Sequence, residues 1–231
     1  MTRDDLLKKL RAAGDPKNRE GMARYGIATG KAFGVPVPKI RALAKEAGKD
    51  HELAQELWDS GIHEARILAS MVDLPKMVTE AQMEGWVRDF DSWDVCDQCC
   101  SNLFDKTPFA YDKAMEWSER GEEFVKRAGF VLMACLAVHD KKMSDAQFLE
   151  FLPVIKKQSE DERNFVKKAV NWSLRQIGKR NESLNAAAIQ AAEDIQRMES
   201  KASKWVASDA LRELRSASVR AKAAKRDSRQ D

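Results

Sequence analysis

The sequence predicts an all-α protein in which antiparallel helix pairs are stacked along the chain. Apolar residues recur at helical spacing through nearly all of its 231 residues. The chain has only 11 glycines and 6 prolines, too few for the turns that a sandwich or a barrel needs. The helix pairs recur every roughly 30–40 residues, a spacing typical of HEAT-like α-solenoids.

Three helices are expected in the N-terminal region, residues 1–48. Leucines at helical spacing around Leu6 mark the first helix, and Pro16 lies just inside the second. The segment 35–38, Val-Pro-Val-Pro, predicts an extended connector because a residue before proline avoids the α region. A third helix follows, from about Lys39 to Ala47.

Five helix pairs are expected after residue 50. Their ranges are about 51–59 with 62–74, 79–90 with 93–104, 108–119 with 122–138, 144–157 with 161–178, and 182–199 with 203–216. Pro75, Pro108 and Pro153 are expected at or near helix ends, where proline is tolerated. We therefore predict one domain over residues 1–217, with helix pairs over 50–217. The second helix of each pair should line a concave binding face.

Charge is unevenly distributed along the chain. The net charge is +3, but nine lysines and arginines stand against four acidic residues from Lys201 onward. That local charge of +5 leaves −2 for residues 1–200. Residues 218–231 hold almost no large apolar side chain, so we expect a basic, disordered tail there.

Composition also indicates a cytoplasmic protein, in a bacterial-type cytosol or nucleoid, with no membrane partner. No apolar run approaches the roughly 18–20 residues that span a bilayer, and the charged N-terminus does not look like a signal peptide. Crowding of Cys96, Cys99 and Cys100 does not suit a disulfide framework. Cys96-x-x-Cys99 could be a redox pair or half of a zinc site, but no second pair lies nearby, so small buried apolar side chains are the preferred interpretation.

Unusual residues fall on the predicted second helices. Trp93 and Asp97 are four residues apart and share a helix face, and Ser92 before them is a plausible N-cap. The later second helices carry Arg127, then Arg163, Lys167, Lys168, Trp172 and Arg175. Taken singly, these are most simply core tryptophans, a solvated acid and wet or ion-paired cations.

Taken together on one face, these residue types favour cleavage of a glycosidic bond in DNA. That cleavage develops positive charge on the sugar, which a nearby carboxylate stabilises. Tryptophan faces attract cationic groups, and lysine and arginine bind phosphates. A base that is already cationic through alkylation leaves without a general acid, so a second catalytic carboxylate is not required.

At these residues the sequence resembles the AlkD-type family of HEAT-like-repeat DNA alkylation-repair proteins. The most specific match is the Trp-Asp-x-x-Asp segment that begins at Trp93. The other matching segments are 22–25, a Gly-Val-Pro segment followed by 39–41, 57–59 with 64–66, 126–128, and 165–175. The resemblance covers nearly all of residues 1–216.

The resemblance implies a monofunctional glycosylase that excises N3- or N7-alkylated purines from duplex DNA. It implies no metal or nucleotide cofactor, and no flipping of the base into a deep pocket. By position, Asp97 would be the catalytic carboxylate, Trp93 and Trp172 would cradle the deoxyribose, Arg127 would hold the neighbouring phosphate, and Tyr25 would contact the duplex near the lesion. A monomer suffices for this task, and no protein partner is evident.

Two other hypotheses stay open at this stage. The chain could be a non-catalytic HEAT-like scaffold that binds DNA or a protein, or a silent paralogue that only recognises damage. Asp97 favours the enzyme, because a carboxylate in a phosphate-binding surface repels its ligand unless it has another task. Lys167 or Lys168 could also act as a Schiff-base nucleophile, although phosphate contact is the preferred interpretation for lysines on an open basic face.

Overall fold

The computed structural model describes the backbone of residues 1–227 and the side chains up to residue 223. Within that range the chain forms fourteen α-helices and one 3-10 turn, and no strand. The helices belong to two compact units, the first spanning Met1–Phe109 and the second beginning at Ala110. No described helix combines the length and the apolar composition that crossing a membrane requires.

The first unit contains seven α-helices. They are α1 (Arg3–Ala13), α2 (Pro16–Arg24), α3 (Val37–Ala47), α4 (His51–Asp59), α5 (His63–Val72), α6 (Glu80–Arg88) and α7 (Trp93–Asn102), followed by the 3-10 turn Phe104–Lys106. Thr2 and Asp5 form a capping box at the start of α1, and Asp15 caps α2 ahead of Pro16. Helix α3 begins two residues earlier than predicted, because Pro36 and Pro38 fit the N-cap and first turn.

The second unit contains the other seven. They are α8 (Ala110–Ser118), α9 (Glu123–His139), α10 (Asp145–Gln158), α11 (Asn164–Ile177), α12 (Glu182–Gln196), α13 (Lys201–Leu214) and α14 (Ala217–Asp227). Ser144 and Gln147 form a capping box on α10, and Asn181 caps α12. The five predicted pairs are therefore α4 with α5, α6 with α7, α8 with α9, α10 with α11, and α12 with α13.

Within each unit the second helices of successive pairs pack against one another. In the first unit α5 contacts α7, and in the second α11 contacts both α9 and α13. Helix α9 also lies close to α8, where a Cβ on Gly129 would come within 3 Å of the Ser118 backbone. The row of second helices that the sequence predicts is thus present inside each unit.

Aromatic stacking anchors the core of the first unit. The rings of Trp58 and Trp86 stack in parallel with centroids 4.0 Å apart, and Phe90 and Phe104 pack at their edges. Trp58 also donates its Nε1–H to Asp89 at 2.9 Å, so its one polar atom is satisfied. This cluster joins α4 to α6 and supports the pair repeat.

Pro153 lies inside α10, so the prediction that it marks a helix end was wrong. A proline in mid-helix removes the N–H that would bond to the carbonyl four residues earlier. That residue is Leu149, whose side chain is exposed on the outer face of α10. The helix nevertheless continues through Pro153 to Gln158.

The structure also differs from the predicted disordered tail, because α14 continues the chain to Asp227. Val219 and Ala223 lie one turn apart and are both buried, where α14 packs on α12 and α13. Two small apolar side chains at helical spacing thus dock a segment that is otherwise basic. Residues 228–231 of the predicted tail lie outside the described residues, and the single-domain boundary at residue 217 stays a prediction.

Candidate functional site

Trp93 and Asp97 both lie on α7, one turn apart and partly exposed. Ser92 is the N-cap residue, as predicted, but its side chain does not cap the helix. Its Oγ instead accepts a hydrogen bond from the Ala28 N–H at 2.9 Å. A side chain that the sequence assigned to α7 therefore holds the segment that follows α2.

Tyr25 is presented by that same segment. The Nε1–H of Trp93 donates to the Tyr25 carbonyl at 3.0 Å, so the tryptophan ring and the tyrosine backbone are fixed to each other. The Tyr25 side chain itself is 71% exposed. Trp93, Asp97 and Tyr25, the three predicted site residues in the first unit, thus belong to one connected surface.

Glu64 fixes the next turn of this region. It is 1% exposed, and its carboxylate accepts the backbone N–H groups of Phe33, Gly34 and Val35 at 3.0, 2.6 and 3.1 Å. Gly34 has φ +81°, and a Cβ there would come within 3 Å of the Asp15 carbonyl. The buried carboxylate of Glu64 therefore holds the connector against the start of α2, at a position where only glycine fits because any side chain would clash.

His63 and Asp94 form a buried pair beside this connector. His63 Nε2 lies 2.8 Å from Asp94 Oδ2, and the histidine is 5% exposed. Burial lowers the pKa of His63, but the hydrogen bond and charge of Asp94, with Glu64 and Asp91 behind it, outweigh that effect and raise the pKa overall. The other polar atoms of the pair, His63 Nδ1 and Asp94 Oδ1, are buried without a hydrogen-bond partner among the described residues.

A cavity of about 420 Å³ opens between α2, the connector and the His63–Asp94 pair. Most of its wall is aliphatic. The lining residues are Lys17, Asn18, Gly21, Met22, Tyr25, Ile27, Gly34, Val35, Pro36, Val37, His63, Ile67 and Asp94. The first unit therefore carries a mostly apolar cavity whose lining includes five polar or charged side chains, Lys17, Asn18, Tyr25, His63 and Asp94. The cavity shares Tyr25 with the Trp93 surface.

Arg127 is buried in the second unit, only 6% exposed on α9. Its Nη1 donates to the Phe165 carbonyl at 2.5 Å, one residue into α11. The guanidinium therefore ties two second helices together. This differs from the exposed cation that a phosphate contact requires, and the predicted contact of Arg127 with phosphate stays a prediction.

Arg163 is also engaged inside the second unit. It pairs with Asp161 through two bonds of 2.9 and 2.5 Å and donates to the Gly121 carbonyl at 2.7 Å. Burial raises the pKa of Asp161, but Arg163 and then Lys126 outweigh it and lower the pKa overall. With its charge balanced in this way, Arg163 holds the loop before α11, and its predicted DNA contact stays a prediction.

Of the remaining predicted cations on α11, one is paired, and two have no ion pair with an acid among the side chains that the structure describes. Arg175 forms ion pairs with Glu213 and Asp209 on α13. Lys167 lies with its Nζ 5.3 Å from the ring centre of Trp205, a cation–π contact on the surface. Lys168 is exposed, and Trp172 on the same helix is partly exposed. The accessible positive charge of this face therefore comes from the two lysines.

Cys96 and Cys99 are buried, as the sequence predicted, and Cys100 and Cys135 are buried as well. None of these four cysteines forms a disulfide in the described part of the chain. Burial, and then the neighbouring Cys96, raise the pKa of Cys99 well above its usual value, which keeps that thiol protonated and unreactive. In the described part of the chain, no three His, Cys, Asp or Glu side chains cluster closely enough to hold a metal ion.

Sequence reasoning missed the buried residues that hold the segments around the site. His63 and Glu64 form hydrogen bonds to segments about thirty residues away, and no local sequence pattern predicts such contacts. Glu64 did fall inside a segment of the family resemblance, which was a usable signal. Trp205 was also missed, although it is 41% exposed, because a lone tryptophan at helical spacing is normally a core residue.

Helix pairs whose second helices pack in a row inside each unit define a HEAT-like-repeat protein. Comparison with known proteins gives the family. The model of the DNA alkylation repair enzyme family matches residues 6–219, so the chain belongs to that family and to DNA repair. This match confirms the family resemblance predicted from the sequence.

Two individual proteins illustrate the relationship. The uncharacterized protein Lin0241 of Listeria innocua is 23% identical over 199 residues, which cover 84% of this chain and 87% of that protein. A solved structure from a family described as related to the HEAT-like repeat DNA glycosylases, with affinity for branched DNA structures, has 21% identity and a TM-score of 0.77. It covers 93% of this chain and 96% of its own, which confirms the predicted all-α, HEAT-like fold class.

Proposed function

We propose that this protein is a monofunctional DNA glycosylase that hydrolyses the N-glycosidic bond of N3- or N7-alkylated purines in duplex DNA. The observation that carries the proposal is the Trp93–Asp97 pair on α7, with the Trp93 ring fixed by its bond to the Tyr25 carbonyl. A carboxylate beside an aromatic face that cannot rotate freely is suited to a transition state with charge on the sugar. Family membership supports DNA as the substrate.

Hydrolysis of this glycosidic bond requires few groups from the protein. As the bond between the sugar and the cationic base lengthens, positive charge moves to the sugar ring. Asp97 stabilises that charge and orients the water that attacks it, while the face of Trp93 excludes bulk water from the ring. The alkylated base leaves as a neutral molecule, so no acid has to protonate it. Base excision therefore requires one carboxylate and an aromatic face, and the predicted role of Trp172, which lies on α11 in the second unit, stays a prediction.

Phosphate binding falls to side chains whose charge is not already balanced. Lys167 and Lys168 are the best candidates on α11, because Arg163 and Arg175 are paired with acids. Each phosphate contact contributes about one unit to the salt dependence of binding. Losing either lysine should therefore weaken binding to any duplex sequence to a similar extent.

The test is release of free 7-methylguanine and 3-methyladenine from alkylated duplex DNA. We expect release by the native chain, and a loss of about two orders of magnitude or more in rate for Asp97→Asn. Asp112→Asn removes the same charge from an exposed position on α8 and should release bases at the native rate. No release by a correctly folded native chain, or equal rates for both variants, would refute the proposed role of Asp97.

A second candidate function is binding of branched DNA without excision. The solved relative is described as having affinity for branched DNA structures, and Trp205 with Lys167 offers an exposed ring beside a cation. Such a ring stacks on exposed base faces, which the branch point of a junction offers and the interior of an intact duplex does not. Markedly tighter binding to a four-way junction than to a duplex of equal length, without base release, would favour this function.

A further inference from the structure

We propose that α13 and α14 form a second DNA-binding surface, which holds the sugar–phosphate backbone away from the lesion. This C-terminal surface consists of Lys201, Lys204 and Trp205 on α13 and of Arg220 and Lys222 on α14. Most of α14 follows residue 219, where the match to the family ends. The proposal shares DNA as the ligand with the proposed function, but it does not depend on base excision.

The two acids of α13 are already engaged by cations outside this surface. Asp209 pairs with Arg212 on the same helix, and Glu213 pairs with Lys179, which lies just after α11. Ion pairing of this kind balances the charge of most lysines and arginines in the second unit. The charge that remains for a ligand is therefore found only where no acid stands beside a cation.

Lys201 and Lys204 are such cations. Both are exposed, and neither has an ion pair among the side chains that the structure describes. Lys201 lies one turn before Trp205, so the two side chains share a helix face. The Trp205 ring is 41% exposed and has the Nζ of Lys167 5.3 Å from its centre. An apolar ring between cations matches a DNA backbone, in which sugars alternate with phosphates.

Trp205 also continues a row of equivalent positions across the second unit. Arg127, Lys168 and Trp205 are the fifth residues of α9, α11 and α13. Because α11 packs against both α9 and α13, equivalent positions on these helices follow one another across the unit. The contact of Lys167 with Trp205 joins the starts of α11 and α13 directly. A duplex bound by the lysines of α11 would therefore meet α13 next.

Helix α14 adds cations at fixed positions. The sequence of residues 216–226 contains four lysines and arginines and no acid. Arg220 and Lys222 are exposed, whereas Val219 and Ala223 are buried where α14 packs on α12 and α13. Because this buried stripe fixes the helix to the unit, its cations lose less conformational freedom on binding than those of an unstructured tail. Docked cations of this kind suit a phosphate-binding site.

Two double substitutions in the full chain test the surface. Lys201→Gln/Lys204→Gln removes two charges from α13, and Arg220→Gln/Lys222→Gln removes two from α14. Glutamine keeps the helix propensity of the residues that it replaces. Both variants should melt within a few degrees of the native chain, because substitutions of exposed side chains barely change stability.

Lys156→Gln/Lys157→Gln is the matched control. It removes the same charge from exposed positions in the last turn of α10, which is a first helix of its pair. Both lysines are already paired with acids, Lys156 with Asp194 and Lys157 with Glu119. The control therefore changes the net charge of the chain as much as either test variant does, but outside the C-terminal surface.

The measurement is binding of an end-labelled, undamaged duplex, followed by fluorescence anisotropy at roughly 50–200 mM salt. Each phosphate contact contributes about one unit to the slope of log affinity against log salt concentration. We expect each test variant to bind several-fold more weakly than the native chain and to flatten that slope by about one to two units. The control should keep the native slope.

Native slopes in both test variants, or equal flattening in the control, would overturn the C-terminal surface. Flattening confined to one test variant would overturn the joint role of α13 and α14. Base release from alkylated duplex, measured at saturating protein, should keep the native rate in both variants. A native chain that releases no base but shows these slope changes would refute the glycosylase proposal alone, and base release with native slopes in both variants would refute the C-terminal surface alone.

Discussion

Substitution of Glu64 should lower the stability of the first unit more than most other substitutions. Its carboxylate accepts three backbone N–H groups in a buried setting, and Glu64→Gln would replace a charged acceptor by a neutral amide. Bonds to charged groups are worth about 1.5–3 kcal/mol and neutral ones about 0.5–1.5 kcal/mol, a difference of roughly 1 kcal/mol each. Three such bonds give a loss of roughly 2–4 kcal/mol in the free energy of unfolding.

Thermal and urea unfolding measure this loss directly. For a chain of this length each kcal/mol corresponds to about 2–4 °C, so the melting temperature should fall by roughly 5–15 °C. Glu56→Gln, which removes the same charge from an exposed position on α4, should change the unfolding free energy by less than about 0.5 kcal/mol. A Glu64→Gln chain as stable as the Glu56→Gln control would show that the carboxylate does not hold the connector.

Two further predictions concern packing and pH. Gly129→Ala should destabilise the second unit by about 1–3 kcal/mol, because its Cβ meets backbone at the closest approach of α8 and α9, whereas Gly85→Ala should be neutral or stabilising in the same melting assay. The raised pKa of His63 means that its pairing with Asp94 stabilises the fold fully below about pH 6.5 and that this stabilisation is lost as pH rises through the folded-state pKa. Urea unfolding across that range should show the loss in the native chain and a flatter profile in Asp94→Asn; identical slopes would contradict the pairing.

The helix pairs could be predicted from the sequence because the signals that define a helix lie within a short stretch of chain. The first pair was predicted as 51–59 with 62–74, and the structure has His51–Asp59 with His63–Val72. Apolar periodicity and capping residues act within a few turns of the chain, so a single sequence contains them. Errors arose where a distant partner decided the outcome, as at α14, whose short apolar stripe is buried by α12 and α13.

The residue types of the candidate site could be predicted from the sequence, but its hydrogen bonds and ion pairs could not. Trp93 and Asp97 share a helix face by spacing alone. That Arg163 is balanced by Asp161 two residues earlier, or that Ser92 bonds to Ala28 rather than capping α7, depends on rotamers and on loop paths. Pairing of a cation with a neighbouring acid changes whether it is available to a ligand, and no sequence spacing fixes that choice.

Helix α2 has no buried side chain, although it forms one wall of the cavity. It is held at its start by the Asp15 cap and by the contact of that turn with Gly34. At its other end the Tyr25 carbonyl accepts the hydrogen bond from Trp93. Helices with so little buried surface open locally at a small fraction of the global unfolding free energy, so their amide protons exchange early. The opposite wall, clamped by Glu64, has no such freedom. The cavity therefore has one rigid wall and one wall that opens locally, so its volume changes with the motion of α2 alone.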